Sequence, residues 1–143
     1  MIFQTLTEIL RQSRRYRRIM LEPLGLTPFH SSYLTEIDSQ PGLSQDQLAQ
    51  LLCLDKSNVA RRVAAMEEEG FISRTPGARD KRVMELRLTQ RAQEVLPPVR
   101  EILTQWDDYL TEGMTEEERA LLDALLTRLK DRAAAWRKED CHV

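Results

Sequence analysis

Ser57, Asn58 and Arg61 bring a hydroxyl, an amide and a guanidinium together in one short run of chain. These groups suit hydrogen bonding to base edges and the gripping of phosphates. Lys56 and Arg62 flank them and are open to two readings, phosphate contacts or charges that simply face water. A second group, Arg79, Asp80, Lys81 and Arg82, follows Pro76-Gly77-Ala78. Cations at such a site suit the negative potential of a minor groove or of the phosphate backbone. An acid does not favour phosphate, so Asp80 is expected to orient a neighbouring arginine. The plain alternative is a solvated tip held by a local ion pair. No glycine-rich phosphate loop, metal-ligand cluster or nucleophile–base pairing is visible, so no enzymatic activity and no cofactor or metal is expected.

The elements that must position these groups can be read from periodicity. Val59, Val63 and Met66 recur at i, i+4, i+7 and share one face of a helix. Asp55 can cap its start, and Gly70 suits the left-handed residue that ends it. Before it, Ser44-Gln45-Asp46-Gln47 matches a capping box, and Leu48, Ala49, Leu51 and Leu52 give a short amphipathic helix. Cys53-Leu54 is a tight link, so the pair reads as a helix-turn-helix. After Gly70, Phe71 to Thr75 leads through a turn-rich loop to Val83–Leu88. There Met84, Leu86 and Leu88 alternate with Glu85 and Arg87. That is period-two strand patterning, a hairpin with a basic tip. A helix-turn-helix plus such a hairpin is a winged helix-turn-helix. Leu43 is placed as a minimal edge strand beside the wing.

The remaining chain reads as helices. Residues 2–20 form a first one, with Ile2, Leu6, Ile9, Leu10, Tyr16 and Met20 near one stripe. Its cluster Arg11, Arg14, Arg15, Arg17 and Arg18 is a solvated face, a DNA-backbone contact, or a match for a partner's acidic helix. Thr27-Pro28 is an N-cap with proline at the first position, and Phe29, Tyr33, Leu34 and Ile37 form the apolar face of a second helix. Beyond Thr89 a long helical pattern runs to Leu110, with a kink or break expected at Pro97-Pro98. Thr115–Glu118 is a capping box for a final helix carrying Leu121, Leu122, Leu125, Leu126, Leu129, Ala133 and Trp136. Such a leucine stripe wants a partner surface or closes the subunit's own core.

The chain has 143 residues, 41% hydrophobic and 31% charged, with a net charge of −2. That fits one soluble helical domain with extensions, and excludes a membrane span or a signal peptide, so the cytosol is the expected location. The net charge carries no nucleic-acid signature, but the charge is segregated. Bases outnumber acids from Lys56 to Arg91, and acids outnumber bases from Asp107 to Asp140. Local field, not net charge, steers a DNA ligand. Cys53 and Cys141 fit neither a disulfide framework nor a zinc motif. Cys53 is expected to be a buried, inert small residue, with a redox role as the alternative. No metal is expected at Cys141-His142.

The Asp80-Lys81-Arg82 wing followed by Leu88-Thr89, the Met66-to-Ile72 helix exit MEEEGFI, and the terminal helices together resemble the MarR family of transcription regulators. The resemblance covers nearly the whole chain. It implies a mostly α fold: a winged helix-turn-helix with a small β-hairpin wing and long N- and C-terminal dimerisation helices. The implied divisions are residues 1–26 and 91–143 for dimerisation and 27–90 for DNA binding. It implies a homodimer on a palindromic double-stranded operator, repression being the commoner mode. Arg61 would lie in the major groove and Arg82 or Arg79 at the minor groove or backbone. A small aromatic or acidic effector is implied, in a pocket between the reading head and the dimerisation helices. Arg17 and His30 are its candidate lining residues, a satisfied surface or core histidine being the alternative for His30. Glu67, Glu68 and Glu69 depart from a position that is often basic in the family, so no strong DNA contact is expected from that end. The competing reading is a protein-interaction module that keeps the dimeric fold and binds another protein through its acidic helices and arginine cluster.

Overall fold

A computed structural model describes residues 1–136. The elements in chain order are α1 (Ile2–Leu21), a 3-10 turn (Glu22–Leu24), α2 (Pro28–Ser39), α3 (Gln45–Leu52), α4 (Lys56–Glu68), β1 (Ile72–Pro76), β2 (Met84–Leu88), α5 (Gln90–Leu110) and α6 (Glu116–Ala135). They fall into two compact units, Met1–Trp106 and a second that starts at Asp107. Cys141-His142, where no metal was expected, lies outside the described residues.

Local signals explain the reading head. Ser44 Oγ accepts from the Gln47 backbone N–H at 3.1 Å, and the Gln47 side chain accepts from the Ser44 N–H at 2.8 Å, so α3 starts on a complete capping box. It ends at Cys53, whose φ of 52° lies in the left-handed region. Asp55 then caps α4 by accepting from the Asn58 N–H at 2.8 Å. At the other end Phe71 N–H reaches Met66 O (2.9 Å) and Gly70 N–H reaches Glu67 O (3.0 Å), a Schellman closure with Gly70 at φ 81°.

β1 and β2 pair antiparallel from Ile72↔Leu88 to Pro76↔Met84. Ile72 and Leu86 are buried, Leu88 is half-buried and Met84 is exposed. The face expected to be uniformly apolar therefore tapers, because the ribbon leaves the core as it runs to its tip. The expected edge strand is a short bridge: Gly42 N–H bonds Leu86 O at 2.9 Å and Leu86 N–H bonds Leu43 O at 2.8 Å. This clips the chain ahead of α3 to the wing.

The core of the first unit gathers Leu21, Tyr33, Leu34, Ile37, Leu48, Val59, Val63, Met66, Ile72, Leu86 and Val99. α1 enters it through Leu21 and through Tyr16, which stacks on Trp106 at 4.7 Å and donates to Ile102 O at 3.2 Å. Its N-terminal half is mostly exposed, with Ile2, Phe3 and Leu10 each more than half so and Leu6 half-buried. α5 runs unbroken through Pro97 and Pro98, so the break allowed for there does not occur. Both prolines are exposed, as are Gln93 and Glu94, whose carbonyls lose their helical donors. Water can satisfy those carbonyls, which lowers the cost of the prolines.

In the second unit Thr115 and Glu118 form the expected capping box, at 3.2 and 2.9 Å. α6 buries none of its residues, and Leu121, Leu125, Leu126 and Leu129 stand exposed along it.

Candidate nucleic-acid interface

α4 has two unlike faces. Val59, Val63 and Met66 are fully buried, while Ser57, Arg61 and Glu68 form an exposed outer row at i, i+4, i+11. The inner stripe holds the helix by apolar burial, which leaves the outer row free of packing duties. The Arg61 side chain makes no hydrogen bond or ion pair among the described residues, and its charge helps hold the nearby Asp55 carboxyl low. Ser57 Oγ donates to Asp55 Oδ1 at 2.6 Å, and this bond, with the Asn58 N–H, holds the Asp55 carboxyl below its ordinary range. The exposed Lys56 lies 3.2 Å from Asp46 Oδ2. The outer row is cationic toward its N-terminal half and acidic at Glu68.

Arg62 does not simply face water. It is half-buried, with its guanidinium carbon 4.3 Å from the centre of the Phe29 ring, and its Nε donates to Asn58 Oδ1 at 3.1 Å. The attraction of a cation for an aromatic face from α2 draws it inward.

At the wing tip Asp80 accepts from Arg82 Nε (3.1 Å), Arg82 Nη2 (3.2 Å) and the Arg82 backbone N–H (3.0 Å). These bonds hold the Asp80 carboxyl below its ordinary range, the side-chain bond contributing most. The Arg82 side chain is itself 90% exposed, and Arg79 and Lys81 are exposed beside it. Gly77 shapes this turn: a Cβ there would lie 2.9 Å from Asp80 O and 3.2 Å from Val83 O.

The acids at the end of α4 have structural partners. Glu67 takes two bonds from Arg74 of β1, at 2.9 and 3.1 Å, and Arg74 Nη1 also reaches Gln45 Oε1 of α3 at 3.2 Å. Arg74 holds the Glu67 carboxyl below its ordinary range, and Glu67 raises the Arg74 guanidinium in turn. Glu69 accepts from His30 Nε2 at 2.8 Å. His30 Nδ1 accepts the Thr27 backbone N–H at 3.0 Å, which leaves the ring proton on Nε2. The Arg74 charge and the His30 hydrogen bond offset the unfavourable meeting of acids with a helix C-terminus. Sequence spacing could not reveal Arg74 as this junction, because its partners lie on other elements.

The two candidate effector residues are separated. His30 is buried between Thr27 and Glu69 and lies outside the lining of the cleft beside α1 and α2. Arg17 lines that cleft, of about 570 Å³, with Arg14, Arg18, Tyr33 and Arg62. Its Nη1 reaches Ser31 Oγ and Ser32 Oγ at 3.4 and 3.3 Å, and its Nε is buried without a partner. Burial, and then Arg14, push the Arg17 guanidinium downward from its usual pKa; burial pushes the Tyr33 phenol upward. Cys53, expected to be buried, is exposed, because the left-handed cap that ends α3 lies on the rim of the fold.

Among the described residues no cluster of three or more His, Cys, Asp and Glu could hold a metal ion, and no helix is long and apolar enough to cross a membrane.

Comparison with known proteins agrees with this geometry. The MarR family model matches residues 26–84. An uncharacterised HTH-type transcriptional regulator of Bacillus subtilis, YybA, is 30% identical over 112 residues, which is 78% of this chain and 75% of the relative. A crystal structure of MarR superposes with a TM-score of 0.84 at 33% identity, covering 93% of this chain and 90% of that one. A mutant MarR from E. coli, solved in complex with operator DNA, shares the fold with a TM-score of 0.78 at 21% identity, over 90% of this chain and 92% of the other. With its winged helix-turn-helix and these relatives, the chain belongs to the MarR family and is a non-enzymatic transcriptional regulator of the DNA-binding helix-turn-helix type.

Proposed function

We propose that the protein acts in the cytosol as a homodimeric repressor that sets α4 of each subunit into the major groove of one half-site of a palindromic operator. The observation that carries this reading is the split character of α4. Its inner stripe is sealed in the core, while Arg61 stands exposed and uncommitted on the outer row beside Ser57. Lys56 and the wing residues Arg79, Lys81 and Arg82 add phosphate or minor-groove contacts, with Asp80 orienting Arg82. Half-sites then lie about one helical turn, ~10 bp, apart.

The dimer is supported by unburied apolar side chains on both units: Ile2, Phe3 and Leu10 in the first, Leu121 and Leu125 in the second. Rows of this kind on a soluble chain mark a surface that a partner covers. A small aromatic or acidic effector suits the cleft beside Arg17, where guanidinium groups, an aromatic ring and the buried Tyr33 hydroxyl converge. By favouring one dimer geometry over another, such a ligand shifts the fraction of protein able to bind DNA.

Sedimentation of the free and DNA-bound protein tests the reading. A dimer that binds one duplex as a dimer agrees with it. A stable monomer, or one chain per duplex, refutes it.

A further inference from the structure

Arg62 lies off the outer row of α4 and is held on two sides. Its guanidinium packs over Phe29 of α2 at 4.3 Å, and its Nε donates to Asn58 Oδ1 at 3.1 Å. A guanidinium carries donors and no acceptor, so the amide atom that meets it must be the oxygen. The amide of Asn58 is thereby pinned, with its oxygen engaged and its NH2 group left for another partner. Asn58, half-buried at the edge of the cleft beside Arg17 and next to the outer-row Ser57, belongs to the first turn of α4, the part of a recognition helix from which base contacts are made.

We infer that Arg62 is a positioning residue for base reading, which keeps Asn58 as a donor toward DNA. This rests on the placement of α4 in the major groove proposed above. An asparagine free to turn pairs with adenine through its donor and acceptor together. One whose oxygen is turned to Arg62 leads with its NH2 group, which suits the acceptor pair N7 and O6 of guanine better than the mixed donor and acceptor of adenine. Phe29 fixes the guanidinium from outside the helix, so the orientation of Asn58 is set by α2 as well as by α4. A phosphate-gripping arginine would instead hold its guanidinium clear of its own protein.

Duplex selection from a random pool tests this with wild type, Arg62→Met and Asn58→Ala, each first checked for folding by circular dichroism melting. Wild type should recover guanine at one position of each half-site. Both variants should relax that same position by roughly ten-fold and leave the other positions as selective as before. The salt slope of Arg62→Met on random duplex should match that of wild type. Full discrimination by Arg62→Met overturns the inference. So does an even loss across all positions with a salt slope reduced by about one, the mark of a lost phosphate contact. If Arg62→Met does not fold, Asn58→Asp keeps the oxygen and removes the donors. It must then lose the guanine preference, and keeping it overturns the inference. A wild type that recovers no motif refutes the placement of α4 itself, an outcome distinct from a motif that Arg62→Met leaves intact.

Discussion

Arg74 grips both carboxylate oxygens of Glu67, at 2.9 and 3.1 Å, and so ties the first wing strand to the last turn of α4. Its third bond, to Gln45 at 3.2 Å, brings in the start of α3. One guanidinium thus braces both helices of the helix-turn-helix against the wing. A planar fork of donors can meet two partners in this way; a lysine ammonium, a point charge, cannot reproduce the geometry. Arg74→Ala should lower operator affinity although Arg74 itself lies off the outer row. In denaturant melts the Arg74→Ala and Glu67→Gln pair should show a coupling of about 0.5–1 kcal/mol, modest because both side chains are partly solvated.

Acid should loosen the start of α4 before the core fails. Asp55 is held below the ordinary carboxylate range by Ser57 and the Asn58 N–H. A group whose pKa is depressed in the folded state contributes stability that is present above its unfolded pKa and lost as pH falls through the folded value. The melting temperature of wild type should therefore drop as pH falls below about 4, the unfolded aspartate range. Asp55→Asn keeps an acceptor but does not titrate, so it should flatten that fall. An unchanged pH profile in Asp55→Asn contradicts the cap assignment.

Gly77→Ala should damage the wing and spare the core. The added methyl meets the Asp80 carbonyl at 2.9 Å and the Val83 carbonyl at 3.2 Å, both backbone atoms that cannot swing aside. Overpacking of this kind costs about 1–3 kcal/mol. The expected result is weaker DNA binding and faster amide exchange in residues 77–83, with exchange at Val59 and Val63 unaltered.

Cys53 should react with a thiol reagent in the native protein about as fast as after unfolding, since its side chain is exposed. Its left-handed backbone, φ 52°, is strained for a residue with a Cβ. Cys53→Gly should therefore stabilise by about 0.5–1 kcal/mol, less whatever the glycine adds to unfolded-chain entropy. A destabilised Cys53→Gly contradicts the strain.

What could be read from the chain beforehand follows periodicity and caps. The stripe Val59-Val63-Met66, the Ser44 and Thr115 boxes and the Gly70 exit all depend on neighbours in sequence, and all stand in the structure. Cys53 did not follow its residue type, because it lies in the turn between α3 and α4, where residues 53–57 are all exposed. Pro97-Pro98 left α5 unbroken because the residues whose carbonyls it strands, Gln93 and Glu94, lie on the exposed side of the helix, where water can reach. The direction of Arg62 was out of reach, since the ring that draws it inward, Phe29, belongs to another helix. For the same reason the end of α4 looked wrong in sequence. Glu67 and Glu69 are answered by Arg74 and His30, and no local pattern links those residues.

Arg61 carries the most direct test. Gel-shift titration of wild type and Arg61→Ala on an operator duplex, each across a salt series, measures what the exposed guanidinium contributes. Placement of Arg61 in the major groove predicts wild-type binding that weakens steeply with salt, and a loss of about 1–3 kcal/mol in Arg61→Ala on the operator. Equal affinity of the two proteins for the operator at every salt concentration would contradict it.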